Sequence, residues 1–190
     1  MDRRTALKVS LGGAAVSLAG AALAAPAARG GFPNVEVLDH AGRKARFYDD
    51  LLKDRTVLLN FFYIHCVDGQ CPLQTANLKK VQALLGERAG REVFMYSITL
   101  QPEVDRPKQL RRYVDAFDIG PGWRFLTGRP ADIELLRRRL GFVDPDPARD
   151  KDKANHTGVV RYGNEAKSLW AACPAMADPQ AIVRALSWVA

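Results

Sequence analysis

The chain holds 190 residues with a formal charge of +7, three cysteines, three histidines and 47% hydrophobic side chains. That length suits one domain plus a processed terminus, and three cysteines are too few and too odd in number for a disulfide-built miniprotein. No basic block carries interleaved aromatic residues, which argues against a nucleic-acid partner.

The first 30 residues read as an export signal. A charged start precedes an uncharged run rich in Ala, Gly and Leu from Val9 to Ala28, and Ala22-Leu23-Ala24 and Ala25-Pro26-Ala27 offer small-residue cleavage patterns. Arg3-Arg4, followed by Thr5, Ala6, Leu7 and Lys8, is similar to the twin-arginine type. Cleavage is expected near residues 24–30, leaving 31–190 as the folded domain. Arg3, Arg4, Lys8, Arg29 and Asp2 leave with the signal, so the formal charge falls to +4. Uncleaved, the run reaches roughly the 18–20 residues of a membrane anchor, although Ala, Gly and Ser make it weakly apolar. The expected address is the bacterial periplasm, free or anchored to the membrane facing it, where disulfides are allowed.

Beyond the signal, "VEVLD", "HAGR" and "KARFY" predict two short strands joined by a turn. "TVLLNFFYI", Thr56 to Ile64, is a nearly continuous apolar run and predicts a strand buried on both faces. "PLQTANLKKVQALLGE" spaces Leu73, Leu78, Val81, Leu84 and Leu85 as a helix ending near Gly86, with Pro72 in its first position. "EVFMYSITL" predicts a second buried strand. "RPKQLRRYVDAFD" is a helix with Leu110, Tyr113, Val114 and Phe117 on one face. "WRFLTG" is a strand, and "PADIELLRRRLGF" is a helix whose basic run suits a solvated face. "VDPDPARDKDKANHTG" reads as a charged loop, "GVVRYGNEAKSLWAA" as a hairpin turning at Gly163-Asn164, and "DPQAIVRALSWV" as a closing helix. This order predicts an α/β layer fold, a mixed sheet with helices on both faces and an N-terminal β-hairpin. A terminal antiparallel hairpin after parallel units is also what a thioredoxin-like core gives.

The chemistry concentrates in "YIHCVDGQCPLQTANL". Cys66 and Cys71 follow a buried strand and precede a helix, so they stand at the carboxyl end of the sheet, where α/β folds place sites. A thiol at a helix N-terminus is expected to ionise more readily. Asp68-Gly69 is turn chemistry that lets the two sulfurs approach. A redox pair, a metal clip and a structural staple all fit this pattern. A staple closing so short a loop would remove little unfolded-chain entropy. Of the histidines, His40 reads as a solvated turn residue, His65 as a strand-end surface imidazole, and His156 as a residue at the end of the charged loop. Cys173 reads as a small buried thiol, or else as a resolving thiol near the pair.

"NFFYIHCVDGQCPLQTANL", "ITLQPEVDRPKQLRRYV", "WRFLTGRPADIELLRRRLGF" and "NHTGVVRYG" occur in that order. Together they resemble the SCO/SenC family of extracytoplasmic copper proteins, from about Val35 to the end. The resemblance implies a thioredoxin-like fold and a copper site formed by Cys66, Cys71 and His156, holding Cu(I) or Cu(II). Two soft sulfurs and one imidazole suit Cu(I) and tolerate Cu(II). It also implies a metallochaperone or assembly role at the copper centre of cytochrome c oxidase, with the oxidase copper subunit or another periplasmic copper or thiol protein as partner. The chain departs from the family pattern twice. Four residues separate the cysteines instead of three, and Gln101 replaces the first Asp of an acidic segment in which Asp105 remains. A wider loop shifts the sulfur–sulfur geometry and favours redox work or another metal preference.

Three readings therefore compete: copper delivery, thiol–disulfide exchange with Cys66 and Cys71 as catalytic residues, and a peroxidase-like activity. His156 separates the first two, because dithiol exchange does not require it.

Overall fold

The computed structural model describes residues 31–190, so the expected export signal and its expected cleavage region lie outside the described residues. Seven strands form one sheet in the order β2-β1-β5-β4-β3-β6-β7. They are β1 (Glu36–Asp39), β2 (Lys44–Arg46), β3 (Thr56–Phe62), β4 (Val93–Thr99), β5 (Trp123–Gly128), β6 (Val159–Asn164) and β7 (Leu169–Pro174). The central β3, β4 and β5 run parallel. The β1–β2 hairpin joins β5 antiparallel, and the β6–β7 hairpin joins β3 antiparallel. This is the expected mixed sheet with an N-terminal hairpin. The helices are α1 (Gln70–Leu85), α2 (Pro107–Ala116), α3 (Pro130–Arg139), a four-residue α4 (Pro147–Asp150) and α5 (Pro179–Val189).

Strand alternation sorts the helices onto two faces. Phe62 stacks at 5.4 Å on Tyr113 of α2, whereas its neighbour Phe61 meets Phe142, just past α3, edge-on at 4.8 Å. Thr75 of α1 bonds the Tyr113 hydroxyl at 2.9 Å, and α5 packs against α1, so these three helices share one face. Every residue of β3 is buried, as its apolar run predicts. Its one amide, Asn60, is matched across the sheet: Ser97 Oγ donates to Asn60 Oδ1 at 2.7 Å and accepts from Trp123 Nε1 at 2.9 Å. Pairing of this kind offsets the cost of burying a polar side chain in such a core.

Several boundaries differ from the sequence expectation. Phe47 and Tyr48 leave the second strand for a π-helical turn, Phe47–Leu52, that buries Phe47, Tyr48, Leu51 and Leu52 together. Helix α1 starts at Gln70, not Pro72, because Gly69 takes φ 70° as its N-cap and Asp68 Oδ1 accepts the Gln70 N–H at 3.0 Å. Pro72 then sits in the first turn, where its missing N–H leaves no bond unmade. The charged loop contains α4 and a 3₁₀ turn, Lys153–His156, capped by the Asp146 and Asp152 side chains on Ala148 N and Ala154 N. The last hairpin turns beyond Asn164, not at Gly163-Asn164. Gly163 stays in the strand, where a Cβ would come within 2.5 Å of the Trp170 ring. Asn164 Oδ1 accepts the Lys167 N–H instead.

His40 is half-buried rather than solvated: its Nδ1 accepts the Phe125 N–H at 3.2 Å, and burial pushes its pKa down. The adjoining hairpin turn depends on Asp39, whose Oδ1 accepts the Ala41 and Arg43 N–H groups while Oδ2 accepts from Arg43 Nε at 2.8 Å. Burial opposes the Asp39 charge, but these bonds outweigh it and hold the carboxyl below its ordinary pKa. A lowered folded pKa stabilises the fold above the unfolded carboxyl value of about 3.9 and is lost as pH falls through the folded value. Asp39→Asn is therefore expected to cost on the order of 1 kcal/mol at neutral pH. In urea unfolding across pH, that difference closes in acid; a pH-independent difference would show that the charge contributes nothing.

Candidate functional site

Strand β3 ends at Phe62, whose carbonyl accepts the Leu100 N–H from the end of β4 at 2.8 Å. The chain then turns over Tyr63–Gly69 before entering α1. Asp105, fully buried, fixes this turn: its Oδ2 accepts from Thr99 Oγ1 at 2.5 Å and from the Ile64 N–H at 3.2 Å. Burial pushes the Asp105 carboxyl upward against those two bonds. The backbone of Gln101 builds the loop that carries it, accepting the Val104 and Asp105 N–H groups and donating to Thr99 Oγ1.

Two residues beyond Ile64 the sulfurs meet. The Cys71 N–H donates to Cys66 Sγ at 3.2 Å, and the Cys66 thiol lies 2.8 Å from Asp68 Oδ1. Both thiols are free. They are unequal: Cys66 is half-buried and Cys71 is fully buried. Burial, reinforced by the hydrogen-bonded Cys66 thiol, pushes the Cys71 pKa upward. This overturns the expectation that the helix N-terminus would lower it. A thiolate here loses its hydration, its own N–H is spent on Cys66, and Asp68 adds negative charge nearby. Tyr63 and Tyr113 close the site; burial pushes both phenols up to about 12, and the neighbouring thiols add to it.

His156 stands elsewhere. It ends the 3₁₀ turn, is buried, and has Nε2 2.8 Å from the Asp150 carbonyl and 3.2 Å from Arg137 Nη1. Arg137 is the centre of this cluster. Its guanidinium binds Glu134 through Nε and Nη2, both at 2.8 Å, and Asp150 through Nη1 at 2.7 Å and Nη2 at 2.9 Å. Nη1 also reaches the Phe142 carbonyl at 2.6 Å. The basic run of α3 is thus not wholly a solvated face. Arg137 shares the buried side with Ile133 and Leu136, and two carboxylates offset its burial.

The structure therefore brings Cys66 and Cys71 together and leaves His156 on Arg137 and Asp150. Among the described residues, no group of three or more His, Cys, Asp or Glu is placed to hold a metal ion. His65 is exposed, as expected of a strand-end imidazole. Cys173 lies in β7 opposite Val160, with β6 between it and β3, and burial pushes its pKa up. Sequence reasoning missed Asp68, Tyr63, Tyr113, Arg137 and Asp150 as site neighbours. Only Asp68 carried a local signal, the Asp-Gly turn.

Residues 32–190 match the family model described as SCO1/SenC. A Bacillus subtilis (strain 168) protein named SCO1 protein homolog is 32% identical over 78 residues, covering 40% of this chain and 39% of that protein. The chain spans less than two thirds of the length of the curated relatives it matches. Among solved structures, Bradyrhizobium japonicum ScoI with copper bound superposes with a TM-score of 0.65 at 24% identity, covering 82% of this chain and 96% of that one. BsSco, a member of the Sco family of cytochrome c oxidase assembly proteins in which a disulfide switch was identified, superposes at 0.64 with 20% identity, over 82% and 90%. At these identities the structural likeness shows a shared fold.

The unequal burial of the thiols predicts unequal chemistry. In the native reduced protein, iodoacetamide is expected to alkylate Cys66 at least about tenfold faster than Cys71. Peptide mass mapping of a time course measures this, and equal rates would contradict the burial described above.

Proposed function

The chain belongs to the SCO1/SenC family, and on that premise we propose that it is a periplasmic copper-binding assembly factor for the copper centre of cytochrome c oxidase. The observation that carries the proposal is the meeting of Cys66 and Cys71 at the carboxyl end of β3, linked by the 3.2 Å Cys71 N–H to Cys66 Sγ bond. Two thiolates on one short loop are a soft donor pair and fit Cu(I). An imidazole from His156 would complete a Cys-Cys-His set that also accepts Cu(II). To do so, it must give up the Asp150 carbonyl and the Arg137 guanidinium. Residues 31–190 would be the working domain, and 1–30 its twin-arginine-type export signal. The oxidase copper subunit, or another periplasmic copper protein, is the partner this reading requires.

A second reading is favoured by the unequal thiols. In thiol–disulfide exchange the accessible Cys66 attacks a partner disulfide and one partner thiol leaves. Cys71 then attacks Cys66, forming the internal disulfide and releasing the second partner thiol. The two readings share residues and differ in their need for His156.

Anaerobic titration of the reduced protein should show one copper per chain, with His156→Ala weakening the affinity by about tenfold or more. Equal affinity would remove His156 from the ligand set. After mild oxidation, mass mapping should find a reversible Cys66–Cys71 bridge; a bridge from Cys173 to either would remove that pairing.

A further inference from the structure

A cavity of about 330 Å³ opens between the end of α3, the loop that follows it and strands β6 and β7. One part of its wall is apolar, formed by Phe142, Val143, Val159, Ala171 and Ala172, and Asp144, Asn155, His156 and Arg161 supply the polar part. Val143 and Val159 are 47% and 42% exposed, so two apolar side chains stand at the rim beside the exposed Asn155. Into this setting β6 places Arg161. Its Nη1 caps α3 by donating to the Leu140 carbonyl, which the close approach at Gly141 permits. A Cβ at Gly141 would stand 2.5 Å from that nitrogen, and the glycine takes φ 75°.

One carbonyl does not neutralise a guanidinium. Among the described residues no carboxylate pairs with Arg161, and burial alone acts on its pKa, downward. The contrast with Arg137, a few residues away in space and held by two carboxylates, is direct. The one acid lining the cavity, Asp144, is engaged by Arg149 at 3.2 Å and by the Asp146 N–H at 2.9 Å. A partly desolvated cation without a counter-ion is unfavourable unless an anion completes it. A guanidinium's planar fork suits a carboxylate, and the volume lies at the small end of ligand sites.

We propose that this cavity binds a small organic anion, a carboxylate on a short apolar body, with the carboxylate on Arg161 and the body between Phe142, Val143 and Val159. This does not depend on the copper reading. His156 also forms part of the wall, so its ring reports occupancy without any metal present.

The test is an NMR titration of the full, metal-free reduced chain with benzoate, with benzamide as the neutral isostere and inorganic phosphate as the anion without an apolar body. Benzoate should shift the Ala171 and Ala172 amides and the His156 ring saturably, with a Kd on the order of 1 mM or tighter. Benzamide, phosphate and the variant Arg161→Gln should each weaken binding about tenfold or more. Because Arg161 also caps α3, Val159→Asp serves as a second variant: it keeps the guanidinium but sets a carboxylate on the rim of the same cavity, two residues along β6, and should abolish benzoate binding. Non-saturable benzoate shifts would overturn the proposal. So would unchanged binding in a folded Arg161→Gln or Val159→Asp protein, or phosphate matching benzoate.

Discussion

The site depends on one buried carboxyl. Asp105 ties the end of β4, through Thr99, to the chain leaving β3, through Ile64. Parallel strands have no hairpin to fix their ends against each other. Here a side chain supplies that fixation, two residues before Cys66. The turn that follows can then bend back through Asp68 and Gly69 and deliver Cys71 into the first turn of α1, with its N–H on the Cys66 sulfur. The fully buried β3 below gives this loop a rigid base, and the Asn60–Ser97–Trp123 chain holds its one amide in a single arrangement.

A second buried charge organises the other half of the surface. Arg137 gathers Glu134, Asp150, the Phe142 carbonyl and His156 into one cluster. This joins α3 to the charged segment that contains α4 and the 3₁₀ turn. The imidazole proposed as a copper ligand is therefore stored on an ion cluster in the metal-free fold. On that proposal, binding copper would be a competition between two sets of partners, and the apparent affinity would fall by the fraction of molecules in which the ring is seated on Arg137.

Much of the fold could be read from the chain. The apolar run of β3, the helical spacing of α1 and α2 and the Pro-initiated α3 and α5 all appear as periodicity or end signals. What escaped was set by tertiary partners. Arg137 sits in a basic triplet that looks solvated, and only its carboxylate neighbours, one of them 13 residues away, make its burial tolerable. Gly163 looked like a turn residue because its role, clearance for Trp170, lies on the partner strand. The thiol pair was visible from its place between strand and helix. The direction of the Cys71 shift was not, since burial outweighs the helix terminus and no local pattern reports burial at one sulfur.

The proposed copper site joins two sulfurs and one imidazole of this chain, although only the two cysteines are adjacent in the metal-free fold. X-ray absorption at the copper edge, on the Cu(I)-loaded reduced protein and on His156→Ala, tests it most directly. Two sulfur neighbours and one imidazole nitrogen are expected, with the nitrogen lost in the variant. An unchanged, sulfur-only coordination shell in both proteins would contradict it.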